Sequence, residues 1–167
     1  MIISLKSVTI EDIELIKTWA SDPYYGEFFR RFPPVFTWGD DQAVLTTFST
    51  SYLIRQDEAT IGLCSLINVD NNAKSVEYGV LIQANTKQTV KTVFESANQL
   101  RDYVFNYLDF NKAYCKILPH RKDIIRMCGL NGLKFEARLK QSCFWQGKFW
   151  DELIYCQLKS EYLEGGM

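Results

Sequence analysis

The sequence predicts an α+β domain, a mixed but mostly antiparallel sheet of about seven strands with helices packed on it. Three observations carry this. Strand-like runs separated by turn residues follow one another through the middle of the chain. One strong 3.6-residue period follows them. The chain then closes in a hairpin around Gln146-Gly147. With 167 residues, 47% of them hydrophobic and 14% aromatic, the chain suits a single domain, 1–167, with a core of its own.

The opening run "MIISLKSV" alternates enough for a first strand. Thr9 precedes Asp12 by three residues, the spacing of a capping box, and Val8 and Ile13 are placed to staple that cap. A helix should follow to about Ala20, with Ile13, Ile16 and Trp19 on its inner side. "SDPYYGEFFRRFPPVF" is aromatic, basic and broken by prolines, which predicts a short helix and a loop. "DDQAVLTTFST" reads as another short helix.

"SYLIRQDE", "ATIGLCSLINVD" and "SVEYGVLIQ" form an antiparallel meander by their turn signals. From Val90 the period changes. Val90, Val93, Phe94, Ala97, Leu100 and Val104 fall on one helical face, and Lys91, Glu95, Asn98, Arg101 and Asp102 take the other, to about Leu108. "KAYCKIL" is a short buried strand, and "RKDIIRMCGLNG" is a helix with a glycine stop. "LKFEARLKQSCFW" and "KFWDELIYCQLKSEY" make the closing hairpin.

Composition excludes several classes. A net charge of -1 offers no broad surface for nucleic acid or an anionic membrane. No apolar run approaches the ~20 residues of a bilayer span, and the N-terminus lacks the pattern of a signal peptide, which points to the cytoplasm. The five cysteines, Cys64, Cys115, Cys128, Cys143 and Cys156, include no CxxC pair and read as buried thiols in a reducing compartment. With one histidine, His120, no metal site is expected.

Six pieces in order, "VTIEDIELIKTWASDP", "ATIGLCSLINVD", "VEYGVLI", "LRDYVFNYLDFNKAYCKI", "RMCGLNGLKFEARLK" and "GKFWDELIYCQLKSEY", resemble the GNAT superfamily of acetyl-CoA-dependent N-acetyltransferases. The branch they look most like is that of the ribosomal-protein alanine N-acetyltransferases. The resemblance implies helices on both faces of the sheet and a central cleft between two splayed strands. Acetyl-CoA would be the co-substrate. Its pantetheine would bond to the backbone of "GVLI", at Val80, Leu81 and Ile82. Its pyrophosphate would sit on amides at the start of the following helix, where unpaired N–H groups and the helix dipole favour an anion.

The family's phosphate turn, Q/R-x-x-G-x-G/A, falls on Gln88, Thr89, Val90, Lys91, Thr92 and Val93. Gln88 matches, while Lys91 and Val93 stand where glycine and glycine or alanine belong. A side chain there can obstruct a phosphate, yet Lys91 also brings a charge that pairs with one. In the next helix, Arg121 replaces an asparagine that contacts the cofactor. Cys128 replaces a tyrosine that protonates the leaving thiolate; a thiol can in principle do the same, or simply fill space.

Glu77 matches a strand glutamate that serves as base in some members; the alternative is an outward-facing or salt-bridged strand residue. Tyr25, Phe29, Phe36 and Trp145 are the candidates to line an acceptor pocket, against a lid or dimer face. Arg30 and Arg31 are candidates for an acidic group, against a solvated surface. Glu136 reads as a sheet-face residue, and a His120–Cys128 dyad has no support beyond composition. Two functions follow. One is acetyl transfer to a primary amine (a peptide N-terminus, an amino sugar or a small amine) by direct attack. The other is a GNAT-fold module that has lost catalysis and binds a ligand or partner. The aromatic last hairpin suits a homodimer.

Overall fold

The computed structural model describes residues 3–32, 39–83 and 89–165, with Thr89 described by its backbone only. Its seven strands lie in one mixed sheet of order β1-β2-β3-β4-β5-β7-β6, as expected, and the sheet is not closed into a barrel. By contacts the chain divides into two compact units, Met1–Ser65 with Gly79–Ser96, and Leu66–Tyr78 with Ala97–Met167.

In the first unit, β1 (Ile3–Ser7) pairs antiparallel with β2 (Ser51–Gln56), and β2 with β3 (Ala59–Asp70). Thr9 caps as its spacing predicts: its amide and hydroxyl both donate to the Asp12 carboxylate, at 2.9 and 2.7 Å. A 3-10 turn over Ile10–Asp12 then leads into α1 (Ile13–Ser21), whose Ile13, Ile16 and Trp19 are buried. The proline-broken segment yields the four-residue α2 (Gly26–Phe29). The next helix, α3 (Asp41–Thr47), starts where the Asp40 side chain accepts from the amides of Gln42 and Ala43. These helices bury Ile13, Ile16, Trp19, Phe29, Val44 and Phe48 with Leu53, Leu63 and Leu81 of the strands.

In the second unit, the start of β4 (Ser75–Ile82) runs parallel to β5 (Lys112–Ile117) over three residue pairs, ending at Glu77↔Tyr114. Helix α5 (Lys122–Leu130) stops by its glycine: Gly132, at φ 77°, lets its own amide reach Gly129 O and that of Leu133 reach Cys128 O. The closing hairpin joins β6 (Lys134–Trp145) to β7 (Lys148–Leu158) around Gln146 and Gly147, and α6 (Lys159–Glu164) ends the described chain.

The long helix departs from its expected face. It is α4 (Thr89–Asp102) followed by a π-helical turn over Tyr103–Tyr107. Ala97, Leu100 and Val104 are buried as expected, but Val90 is 64% and Phe94 36% exposed, while Thr92 and Ser96 are fully buried. Ser96 satisfies its hydroxyl on the Thr92 carbonyl, so two small polar residues turn inward and the large apolar ones outward. Arg101, expected at the surface, is 3% exposed. Its guanidinium donates to Gln157 Oε1 at 2.9 Å, to Asn131 Oδ1 at 3.1 Å, to the Asn131 carbonyl and to Asn98 Oδ1. Hydrophobic periodicity assigns charged residues outward and has no means to detect acceptors waiting thirty and fifty-six residues away.

Candidate active site

The cofactor-side residues other than Arg121 lie in the first unit. Val80 and Ile82 are half-buried and Leu81 is buried on the last half of β4. Gly62 permits this strand's position, because a Cβ there would sit 2.2 Å from the Leu81 carbonyl oxygen. Gly79 opens a second close approach: its missing side chain leaves room for Phe28, 3.0 Å from where a Cβ would stand, and for an Arg31 guanidinium nitrogen at 3.1 Å. Arg31 is thus laid against the strand rather than extended into water.

Gln88 lies outside the described residues. Of the rest of the turn, Thr92 is buried, Val93 half-buried, and Val90 and Lys91 exposed. Lys91 leans toward Glu95 one turn on, with Nζ 3.7 Å from Oε1. Its ammonium therefore points down the helix, away from the first-turn amides, which have no carbonyl one turn earlier in the helix to bond.

The second unit holds the two catalytic candidates. Glu77 is 1% exposed on β4. Its Oε2 accepts from Asn68 Nδ2 at 2.9 Å and lies 3.7 Å from Lys116 Nζ. It is thus neither outward-facing nor solvated. Its neighbour across the parallel pair is Tyr114, whose hydroxyl is pushed above the ordinary range by burial and by the charges of Glu77 and Asp70. One amide and one ammonium thus fix the orientation of this carboxylate.

Cys128 is buried on α5 with its Sγ 3.4 Å from Cys115 Sγ. Cys115 Sγ is also 3.7 Å from the Tyr155 carbonyl oxygen, and either thiol can donate to the other. Tyr78 belongs to the same surroundings. Burial raises its hydroxyl well above the ordinary value, with Cys115 adding to the shift and Arg101 opposing it. Arg121 closes on Asp123 through Nε and Nη2 at 3.1 and 2.9 Å, and this hydrogen bonding outweighs burial to hold the Asp123 carboxyl below its usual range.

The aromatic candidates separate by burial. Phe29 is 7% exposed and sits in the core, edge-on to Phe28 and Phe48. Tyr25 is half-buried, packed on that core and edge-on to Tyr24 at 5.0 Å. Phe36 lies outside the described residues. Trp145, at the end of β6, accepts on its carbonyl from Trp150 Nε1 at 3.1 Å. His120 packs on Trp150, with ring centroids 4.9 Å apart. Glu136 pairs with Lys112 at 2.5 Å on the sheet face, as expected.

Sequence reasoning missed Asn68 and Lys116. Asn68 has a left-handed backbone, φ 49°, inside β3, which re-aims its side chain out of the strand's alternation. An asparagine near the end of an apolar strand is the only signal the sequence carries. Among the described residues, no group of His, Cys, Asp and Glu is arranged to hold a metal ion. Nor is any helix among them long and apolar enough to cross a membrane.

A family model described as "Acetyltransferase (GNAT) domain" matches residues 3–134, and the chain belongs to that family. It is by class an acyl-CoA N-acyltransferase of the GNAT type. The fold is similar to solved structures of spermidine N-acetyltransferase SpeG from Vibrio cholerae. One, a chimera with hSSAT, has a TM-score of 0.83 at 18% identity over 96% of this chain and 98% of that one. A point mutant gives 0.82 at 16% over 99% and 98%, and a dodecameric structure in an intermediate state gives 0.78 at 16% over 99% and 98%. No curated protein matches the chain significantly.

Proposed function

We propose that residues 1–167 work as one cytoplasmic domain that moves acetyl from acetyl-CoA to a primary amine by direct attack. The observation that carries this reading is Glu77, a carboxylate 1% exposed and held by Asn68 and Lys116 on the strand that continues into "GVLI" and then α4. In this reading the backbone of Val80, Leu81 and Ile82 takes the pantetheine. The amides of Thr89, Val90, Lys91, Thr92 and Val93 take the pyrophosphate, and Gln88 and Arg121 complete the cofactor side. The absent glycines are compensated by Lys91, whose Glu95 partner is a weak surface pair that a phosphate displaces.

Glu77 accepts the amine proton, directly or through water, as the nitrogen attacks the acetyl carbonyl. Cys128, in the position of the family's tyrosine, returns a proton to the departing thiolate in this reading. Tyr25, Phe36 and Trp145 shape the acceptor side, while Phe29, expected there too, is taken up by the core. The acceptor is a peptide N-terminus, as in the ribosomal-protein alanine branch, an amino sugar or a small amine. The polyamines named for the similar structures fall in the last class. The exposed Phe135, Phe144 and Phe149 of the final hairpin support self-association, at least as a homodimer.

The test is calorimetric and kinetic. Acetyl-CoA at about 100 times its dissociation constant should stabilise the fold by about 2.7 kcal/mol. A panel of the three acceptor classes should then give turnover with one. No thermal shift at millimolar acetyl-CoA would overturn the reading and leave a ligand- or protein-binding module.

A further inference from the structure

We infer that Cys115 and Cys128 form a peroxide-sensitive dithiol, a site of reversible disulfide formation between β5 and α5. The two sulfurs already touch at 3.4 Å, and a disulfide bond is about 2.05 Å, so closing it takes roughly 1.4 Å of approach. Both residues sit in one compact unit, thirteen positions apart. Both are buried, at 7% and 6% exposure, so the oxidant that reaches them has to be small. The two sulfurs face one another in direct contact, and Cys115 Sγ also lies 3.7 Å from the Tyr155 carbonyl oxygen.

Two of the other thiols are worse placed. Cys64 is completely buried, and burial pushes its thiol far up. Cys156 is pushed up to about 11 by burial and by its bond to Glu136.

The step balances with a hydroperoxide as oxidant. One sulfur, as thiolate, attacks the peroxide oxygen; the O–O bond breaks and a sulfenic acid and water result. The second sulfur attacks the sulfenic sulfur; the S–O bond breaks, the S–S bond forms, and a second water leaves with the remaining protons. Two thiols lose two electrons, which the peroxide gains. A dithiol reductant reverses the change. None of this depends on acetyl transfer, and its test is independent of activity.

The experiment treats the full chain with hydrogen peroxide, unfolds it and alkylates it. The expected product is two hydrogens lighter before alkylation and carries alkyl groups on Cys64, Cys143 and Cys156 only. A cross-linked peptide joins Cys115 to Cys128, and dithiothreitol restores both alkylation sites. In the Cys115→Ser variant the cross-link disappears and peroxide carries Cys128 on to the sulfinic acid. Five alkylated cysteines after peroxide, a cross-link between any other pair, or an intermolecular bond would each overturn the inference.

Discussion

Asn68 Nδ2 lies 2.9 Å from Glu77 Oε2, and it gets there from a left-handed backbone position near the end of β3. Asparagine tolerates that conformation better than most residues because its short side chain bonds locally. The strand's irregularity and the orientation of the buried carboxylate are therefore one feature.

A hydrogen bond to a charged group contributes about 1.5–3 kcal/mol. If the arrangement serves proton transfer, Asn68→Ala should lower kcat by about ten- to a hundredfold with the KM for acetyl-CoA unchanged. Glu77→Gln should slow turnover further without loss of acetyl-CoA affinity. Equal rates in Glu77→Gln would clear Glu77 of the role of base.

Lys91 and Glu95 give a second prediction. Their 3.7 Å pair is exposed and contributes little. Glu95→Gln should release the ammonium and tighten acetyl-CoA by about twofold. Lys91→Glu should weaken it, with a smaller dependence on salt than the wild type. Titration calorimetry at two ionic strengths reads both, and an unchanged affinity in Lys91→Glu would separate Lys91 from the phosphates.

The buried Arg101 predicts a stability effect with no catalytic counterpart. Truncation to alanine strands Gln157 Oε1 and the Asn131 oxygens, so Arg101→Ala should cost about 3–5 kcal/mol in denaturant melts. Arg101→Lys should recover only part of it, because an ammonium cannot reach the same fork of acceptors.

Acid sensitivity has a source at the N-terminal cap. Burial works to raise the Asp12 carboxyl, but the Thr9 hydroxyl and amide together with Lys6 outweigh it and hold Asp12 below its ordinary value of 3.8. The folded value being the lower one, Asp12 adds stability that is complete above 3.8 and is lost as the pH falls through the folded value. Asp12→Asn should flatten the stability curve in that acid window, as followed by urea midpoints. Thr9→Ala should cost about 1 kcal/mol at neutral pH.

The last hairpin presents Phe144 and Phe149 edge-on at 5.1 Å, 62% and 63% exposed. Phe144→Asp with Phe149→Asp should shift the sedimentation profile toward monomer without lowering the melting temperature of the monomer itself. An unchanged profile would place any self-association elsewhere.

The sequence by itself determined the element order, the Thr9 cap, the glycine stop at Gly132 and the hairpin at Gln146-Gly147, because each rests on local backbone chemistry within a few residues. It also pointed to Glu77 through its resemblance. The tertiary structure decided what faces what. The first turns of α4 bury Thr92 and Ser96 instead of Val90 and Phe94, Arg101 turns inward, and Asn68 and Lys116 meet Glu77. The contact between Cys115 and Cys128 belongs to the same group. These depend on partners brought together from distant parts of the chain, where a buried hydrogen bond outweighs the tendency of a polar side chain to seek water.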